Sequence, residues 1–202
     1  MSYYIDPTDR DLKVKIAALK PTSGYCFFID IVGSTELKDK SLSEWILLIY
    51  NTFANIRGNL FMVFNPLKSL GDALMFFLPE SQLKGESALS LFAGLWDIIN
   101  SNEPYLKQVK IGAAYCQEAY DITFIQNVPD IYGKDIDLTA RLLSVAGSQE
   151  AVMNEGFVKR IRSDYDAIGN KDQFEGVPKI IGPWPQLFKG FKKNVDIYKT
   201  LK

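Results

Sequence analysis

Between Gly24 and Gly33 the chain reads Tyr-Cys-Phe-Phe-Ile-Asp-Ile-Val, an apolar run broken only by Asp30. A run this short and this apolar, fenced by glycines, suits a central strand covered on both faces. The aspartate is what constrains the fold, because a lone buried carboxylate is costly unless it is paired, protonated or bound to a metal. The run then passes into Gly33-Ser34-Thr35 and a charged segment. Between a buried strand and a helix, such residues can present backbone N–H groups to phosphate oxygens. Taken alone, the same three residues read as an ordinary βα turn with a Ser/Thr cap.

Patterning along the rest of the chain predicts how that strand is covered. Residues 1–23 read as an N-terminal arm or short helix, and 24–202 as one domain. Ser41 and Ser43 can cap a helix whose apolar positions Trp45, Ile49, Phe53 and Ile56 recur at helical spacing. Two strand-like runs, Asn59–Phe64 and Asp72–Leu78, flank a hairpin-like connection marked by Pro66 and Gly71. A helix over Ser87–Ile99 is followed by strands at Val109–Cys116 and Asp121–Ile125. Ile136–Gly147 reads as a helix with a glycine C-cap, and Glu150–Asn154 as a strand. The Gly- and Pro-rich segment 169–185 reads as loop, before a last strand near Val195–Leu201. The order β-α-β-β-α-β predicts an α+β fold, a ferredoxin-like sandwich with helices on one face of a mostly antiparallel sheet.

Composition narrows the chemistry. There is no histidine among the 202 residues, which removes imidazole bases, Ser/His and Cys/His triads and His-ligated zinc. Lys and Arg number 23 against 24 Asp and Glu, so no excess of positive charge argues for nucleic acid as a partner. Cys26 and Cys116 both sit in apolar runs and read as reduced core residues of a cytoplasmic protein. The N-terminus lacks the pattern of a signal peptide, and no run approaches the roughly 20 apolar residues of a membrane span. Catalysis is left to carboxylates, lysine, arginine, hydroxyls or a hard metal.

Asp72 repeats the problem posed by Asp30, opening its strand directly after Gly71. In a ferredoxin-like sheet the first strand lies beside the hairpin. Two aspartates from neighbouring strands can then share a divalent cation, and all-oxygen ligation points to Mg²⁺ or Mn²⁺.

The motifs "FFIDIVGST", "KSLGDALMFF", "VKIGAAY" and "DIYGKDIDLTARLL", in that order over roughly residues 25–154, resemble the catalytic domain of class III nucleotidyl cyclases. "FKGFKKNVDIY" is a weaker echo. The resemblance implies that Asp30, Asp72 and the backbone carbonyl of Ile31 hold two divalent cations, Mn²⁺ or Mg²⁺. It implies that Arg141 stabilises the transition state at the α-phosphate and that Lys189 holds the distal phosphates. Gly33, Ser34 and Thr35 would seat the triphosphate, and Lys68 with Asp130 would select the base. It also implies a homodimer with active sites at the interface, the metal-binding aspartates from one subunit and the base-reading residues, arginine and lysine from the other.

The departures are specific. Asp137 replaces the family's ribose-orienting asparagine; its expected role is a ribose contact or a pairing with Arg141. Ser34 stands where relatives carry Phe. By the family's code, Lys68 with Asp130 reads adenine and implies ATP. The small chain and the signature with Asp137 look most like the pyrimidine cyclases of bacterial Pycsar anti-phage systems. Those make cyclic UMP or cyclic CMP, read by a separate effector protein. The other readings are an adenylate cyclase and an inactive nucleotide-binding module.

Overall fold

The structure, a computed structural model, describes residues 2–6, 8–60 and 65–201. Its elements are β1 (Tyr3–Tyr4), α1 (Leu12–Ala18), β2 (Thr22–Ile31), α2 (Ser34–Lys40), α3 (Leu42–Leu60), β3 (Lys68–Leu70), β4 (Ala73–Pro79), α4 (Ala88–Asn100), β5 (Val109–Ala119), β6 (Ile122–Thr123), α5 (Lys134–Ser144), β7 (Ala151–Asn154), α6 (Glu155–Ala167), β8 (Ile180–Gln186) and β9 (Val195–Thr200). Seven strands form one sheet in the order β3-β4-β2-β5-β7-β9-β8. Every neighbouring pair in it is antiparallel except β5 with β7. The first four strands, in the order β3-β4-β2-β5, reproduce the expected ferredoxin-like pattern. β1 pairs in parallel with β6 as a separate two-stranded sheet.

β2 is covered on both sides, as its apolar run predicts. Alternate residues Tyr25, Phe27 and Ile29 join a core with α4 side chains, Phe157 of α6 and Ile56 of α3. Cys26 and Phe28 join a second core with Ile136, Leu138 and Leu142 of α5 and with Phe188. The helices are therefore not confined to one face: α5 lies across β5, β2 and β7 on the side opposite α4 and α6. Its close seat depends on Gly112, where an added Cβ would stand 2.5 Å from the Thr139 carbonyl oxygen and 2.6 Å from the Leu143 nitrogen. Both cysteines are free and buried.

Several boundaries move for identifiable reasons. α3 runs on through Asn59 and Leu60, taking them from the expected strand; Phe61–Phe64 lie outside the described residues. Ser41 is extended between α2 and α3, and its hydroxyl accepts from the Glu44 N–H at 3.4 Å, a cap for α3. α5 ends at Ser144, and Gly147 instead donates its N–H to Glu150 Oε2 at 2.7 Å in the turn into β7. α6, with Asn154 as its cap, is an element that patterning did not announce. The last third of the expected loop 169–185 is strand: β8 lies at the sheet edge, where Pro183 and Pro185 cost no interior hydrogen bond.

Candidate active site

β2 and β4 run antiparallel, so the end of β2 lies beside the start of β4. This places Asp30, the penultimate residue of β2, near Asp72 in the turn between β3 and β4, where Gly71 takes φ +68°. Asp30 is at the strand's end rather than its middle, and it is half-buried rather than sealed. Burial raises its carboxyl above the ordinary value; Lys110 opposes this and the charge of Asp72 adds to it. Lys110 stands directly across from Asp30 in the β2–β5 register, with Nζ 3.1 Å from Oδ2. Patterning gave no reason to single out Lys110; its role emerges only once the strands are paired.

Ser34 supplies the other compensation. It is buried at the start of α2, after Gly33 at φ +77°, and its hydroxyl donates to Asp72 Oδ2. That contact accounts for a small hydroxyl residue here: a Phe would leave Asp72 without this donor. Gly33 and Thr35 are exposed beside it. Among the described residues there is no group of three or more His, Cys, Asp or Glu side chains able to hold a metal. One carboxylate from the end of β2 and one from the turn before β4, with further oxygens from backbone and substrate, still fit Mg²⁺ or Mn²⁺, which keep a largely oxygen shell of water and phosphate.

A second grouping lies toward the β3 edge. Lys68, the first residue of β3, places Nζ 2.5 Å from Asp130 Oδ1, joining residues 62 apart in sequence. A cavity of about 350 Å³ beside the pair is lined by Asp130, Ile131, Leu67 and Phe77 among others.

The third grouping lies on the β9 side of α5. Asp137 and Arg141, one turn apart and both exposed, line an open groove of about 870 Å³ with Lys189, Gly190 and Phe191. Asp137 and Arg141 make no ion pair with each other, so of the two roles expected for Asp137 the pairing is absent. Lys134, Lys192 and Lys193 also line it; the sequence signal for the last two was the lysine-rich run after Phe188. Arg141 and the four lysines set against Asp137 give this groove an excess of positive charge, which suits a compact polyanion.

The fold recurs in known structures. The adenylyl cyclase CyaB from P. aeruginosa superposes with a TM-score of 0.71 at 18% identity, over 91% of this chain and 95% of that one. The dimeric guanylyl cyclase domain of the RhoGC fusion protein from the aquatic fungus Blastocladiella emersonii gives 0.66 at 14% identity, over 89% and 96%. Adenylate cyclases from Trypanosoma brucei in their monomeric state give 0.62 at 15% identity, over 89% of each chain. This chain has the fold of a nucleotidyl cyclase catalytic domain. At the level of sequence, no family model and no curated protein matches it. No helix among the described residues is long and apolar enough to cross a membrane.

Proposed function

We propose that this protein is a metal-dependent nucleotidyl cyclase that converts a pyrimidine nucleoside triphosphate, UTP or CTP, to its 3′,5′-cyclic monophosphate and pyrophosphate. The observation that supports it most is a coincidence of fold and motif. On a scaffold like that of adenylyl and guanylyl cyclases, Asp30 and Asp72 meet at one end of the sheet, while Arg141 and Lys189 line one groove. In the reaction the ribose 3′-oxygen attacks the α-phosphorus, its proton is lost, and the bond to the pyrophosphate breaks. Two divalent cations, when bound, neutralise the triphosphate and favour ionisation of the 3′-hydroxyl.

The chain's own groups divide the remaining work. Asp30, Asp72 and the Ile31 carbonyl hold the cations, and Ser34 keeps one Asp72 oxygen oriented. Gly33 and Thr35 flank the phosphates. Arg141 meets the charge that grows on the α-phosphate, and Lys189 holds the leaving pyrophosphate. Asp137, free of Arg141, accepts a hydrogen bond from a ribose hydroxyl. The carboxylates and the groove belong to different subunits of a homodimer, residues 24–202 forming the catalytic unit of each. The resemblance to the Pycsar cyclases further supports a cytoplasmic second messenger of bacterial anti-phage defence, read by a separate effector.

A second reading, an adenylate cyclase, is favoured by the intact pair of Lys68 and Asp130. Incubating the protein with Mn²⁺ and each of the four nucleoside triphosphates, and weighing the products by mass spectrometry, decides between them. Cyclic UMP or cyclic CMP is the expected product. Cyclic AMP alone replaces the pyrimidine assignment, and no product from any nucleotide overturns the cyclase itself.

A further inference from the structure

The base-reading pair has little capacity left to accept from a base. Asp130 Oδ1 already takes the Lys68 ammonium at 2.5 Å and the Ile131 N–H at 2.8 Å. Its Oδ2 takes the Tyr132 hydroxyl at 3.2 Å. A carboxylate offers about four acceptor positions, so three are occupied before any nucleotide arrives. Lys68 has three donors, and Asp130 is the one partner found for it among the described residues. The pair therefore presents spare N–H donors and almost no spare acceptor.

Tyr132 and Asp130 are held in this relation from several sides. The Tyr132 backbone is bridged to Tyr120 in both directions, N–H to carbonyl at 2.7 Å and 3.0 Å. Its ring meets Phe124 edge to face, with the centroids 5.4 Å apart. The N-terminal arm reaches back to clamp Asp130 itself. Ser2 Oγ accepts from the Asp130 N–H at 3.1 Å and donates to the Asp130 carbonyl at 3.2 Å. The arm is anchored by the pairing of β1 with β6 and by the buried Ile5. The carboxylate of Asp130, a residue that lines the cavity, is thus fixed on its donors.

We propose that Tyr132, by occupying Asp130, makes Lys68 and Asp130 read a carbonyl edge of the base, so that the pyrimidine accepted is uracil and not cytosine. This rests on the nucleotide reading of the site and sharpens it. Uracil offers O4 to Lys68. Cytosine presents an exocyclic amine at the same place, which meets the lysine's donors and finds one acceptor position at most. Adenine's amine is disfavoured for the same reason. Tyr132 is here a positioning residue that acts through Asp130, and Ser2 supports it.

The test compares the full-length wild-type chain with Tyr132→Phe, which keeps the ring and its contact with Phe124. Both are given Mn²⁺ and equimolar UTP, CTP, GTP and ATP, and the ratio of cyclic products is read by mass. Wild type is expected to favour cyclic UMP over cyclic CMP, and the substitution to raise the cyclic CMP share about tenfold by freeing one acceptor. A general loss of folding or of rate would leave that ratio where it was. A wild type that favours CTP, or a ratio unmoved by Tyr132→Phe, overturns the assignment. If neither protein cyclises any nucleotide, the cyclase reading falls by itself. The ratio of UTP to CTP dissociation constants, measured with Ca²⁺, then decides the role of Tyr132: the same shift supports it and no shift overturns it.

Discussion

The two ends of the candidate site solve opposite electrostatic problems. At the β2–β4 end, each carboxylate has an internal partner: Asp30 has Lys110, and Asp72 has the Ser34 hydroxyl. In the groove beside α5, Arg141, Lys134, Lys189, Lys192 and Lys193 make no ion pair among the described residues. One end is compensated by the chain and must exchange those partners to take a metal. The other is left with surplus positive charge that only an external anion relieves. The difference explains how half-buried aspartates coexist with a folded chain, and why the cations can stay on a solvent-facing helix and loop.

The largest test of that contrast removes the compensated end. Asp72→Asn is expected to lower cyclisation about a thousandfold, because the charge stabilisation supplied by a bound cation is lost. Size-exclusion chromatography should show the assembly unchanged, and activity within about tenfold of wild type would break the metal assignment. Arg141→Ala strikes the other end and should cost about a hundredfold in turnover. With the proposed homodimer, mixing it with the Asp72→Asn protein should then restore about a quarter of wild-type activity, since half of such dimers would be mixed and each would carry one whole site of two. No recovery would place both ends in one subunit.

A packing change separates the ends by another route. Gly112→Ala pushes against the Thr139 carbonyl and the Leu143 nitrogen, and so against the helix that carries Asp137 and Arg141. A loss of about 2 kcal/mol in urea unfolding is expected. Pyrophosphate affinity should fall with it, while Mn²⁺ binding at the Asp30 end is spared.

The smallest effect is a pH dependence. Asp30 holds its proton to higher pH in the fold than its ordinary 3.8, chiefly through burial, so its ionisation costs stability as pH rises through that window. Without metal, Asp30→Asn should melt higher than wild type at about pH 7, and the gain should vanish toward about pH 4. Saturating Mn²⁺ should reverse the order. A constant difference across pH would show that Asp30 is not the group responsible.

Much of this was legible from residue order. The apolar run around Phe27 and Phe28, the turn at Gly71 and the helix expected over Ser87–Ile99 are local signals, and each element formed within a few residues of its expected place. β8 was hidden because Pro183 and Pro185 forbid an interior strand, and nothing local reveals that this one is an edge. Lys110 was hidden because its meaning depends on the β2–β5 register, and Tyr132 because its partner is chosen by the clamp from Ser2.

The sequence by itself determined that Asp30 needed compensation, that Asp72 shared the need, and that histidine would play no part. Those follow from residue type and burial pattern, which are properties of short segments. Only the tertiary structure decided what met each charge: Lys110 and Ser34 at one end, Tyr132 at the Lys68–Asp130 pair, and no ion-pair partner among the described residues for the groove cations. The physical reason is that electrostatic energy depends on distance through space, and strand register and helix seating set those distances between residues remote along the chain.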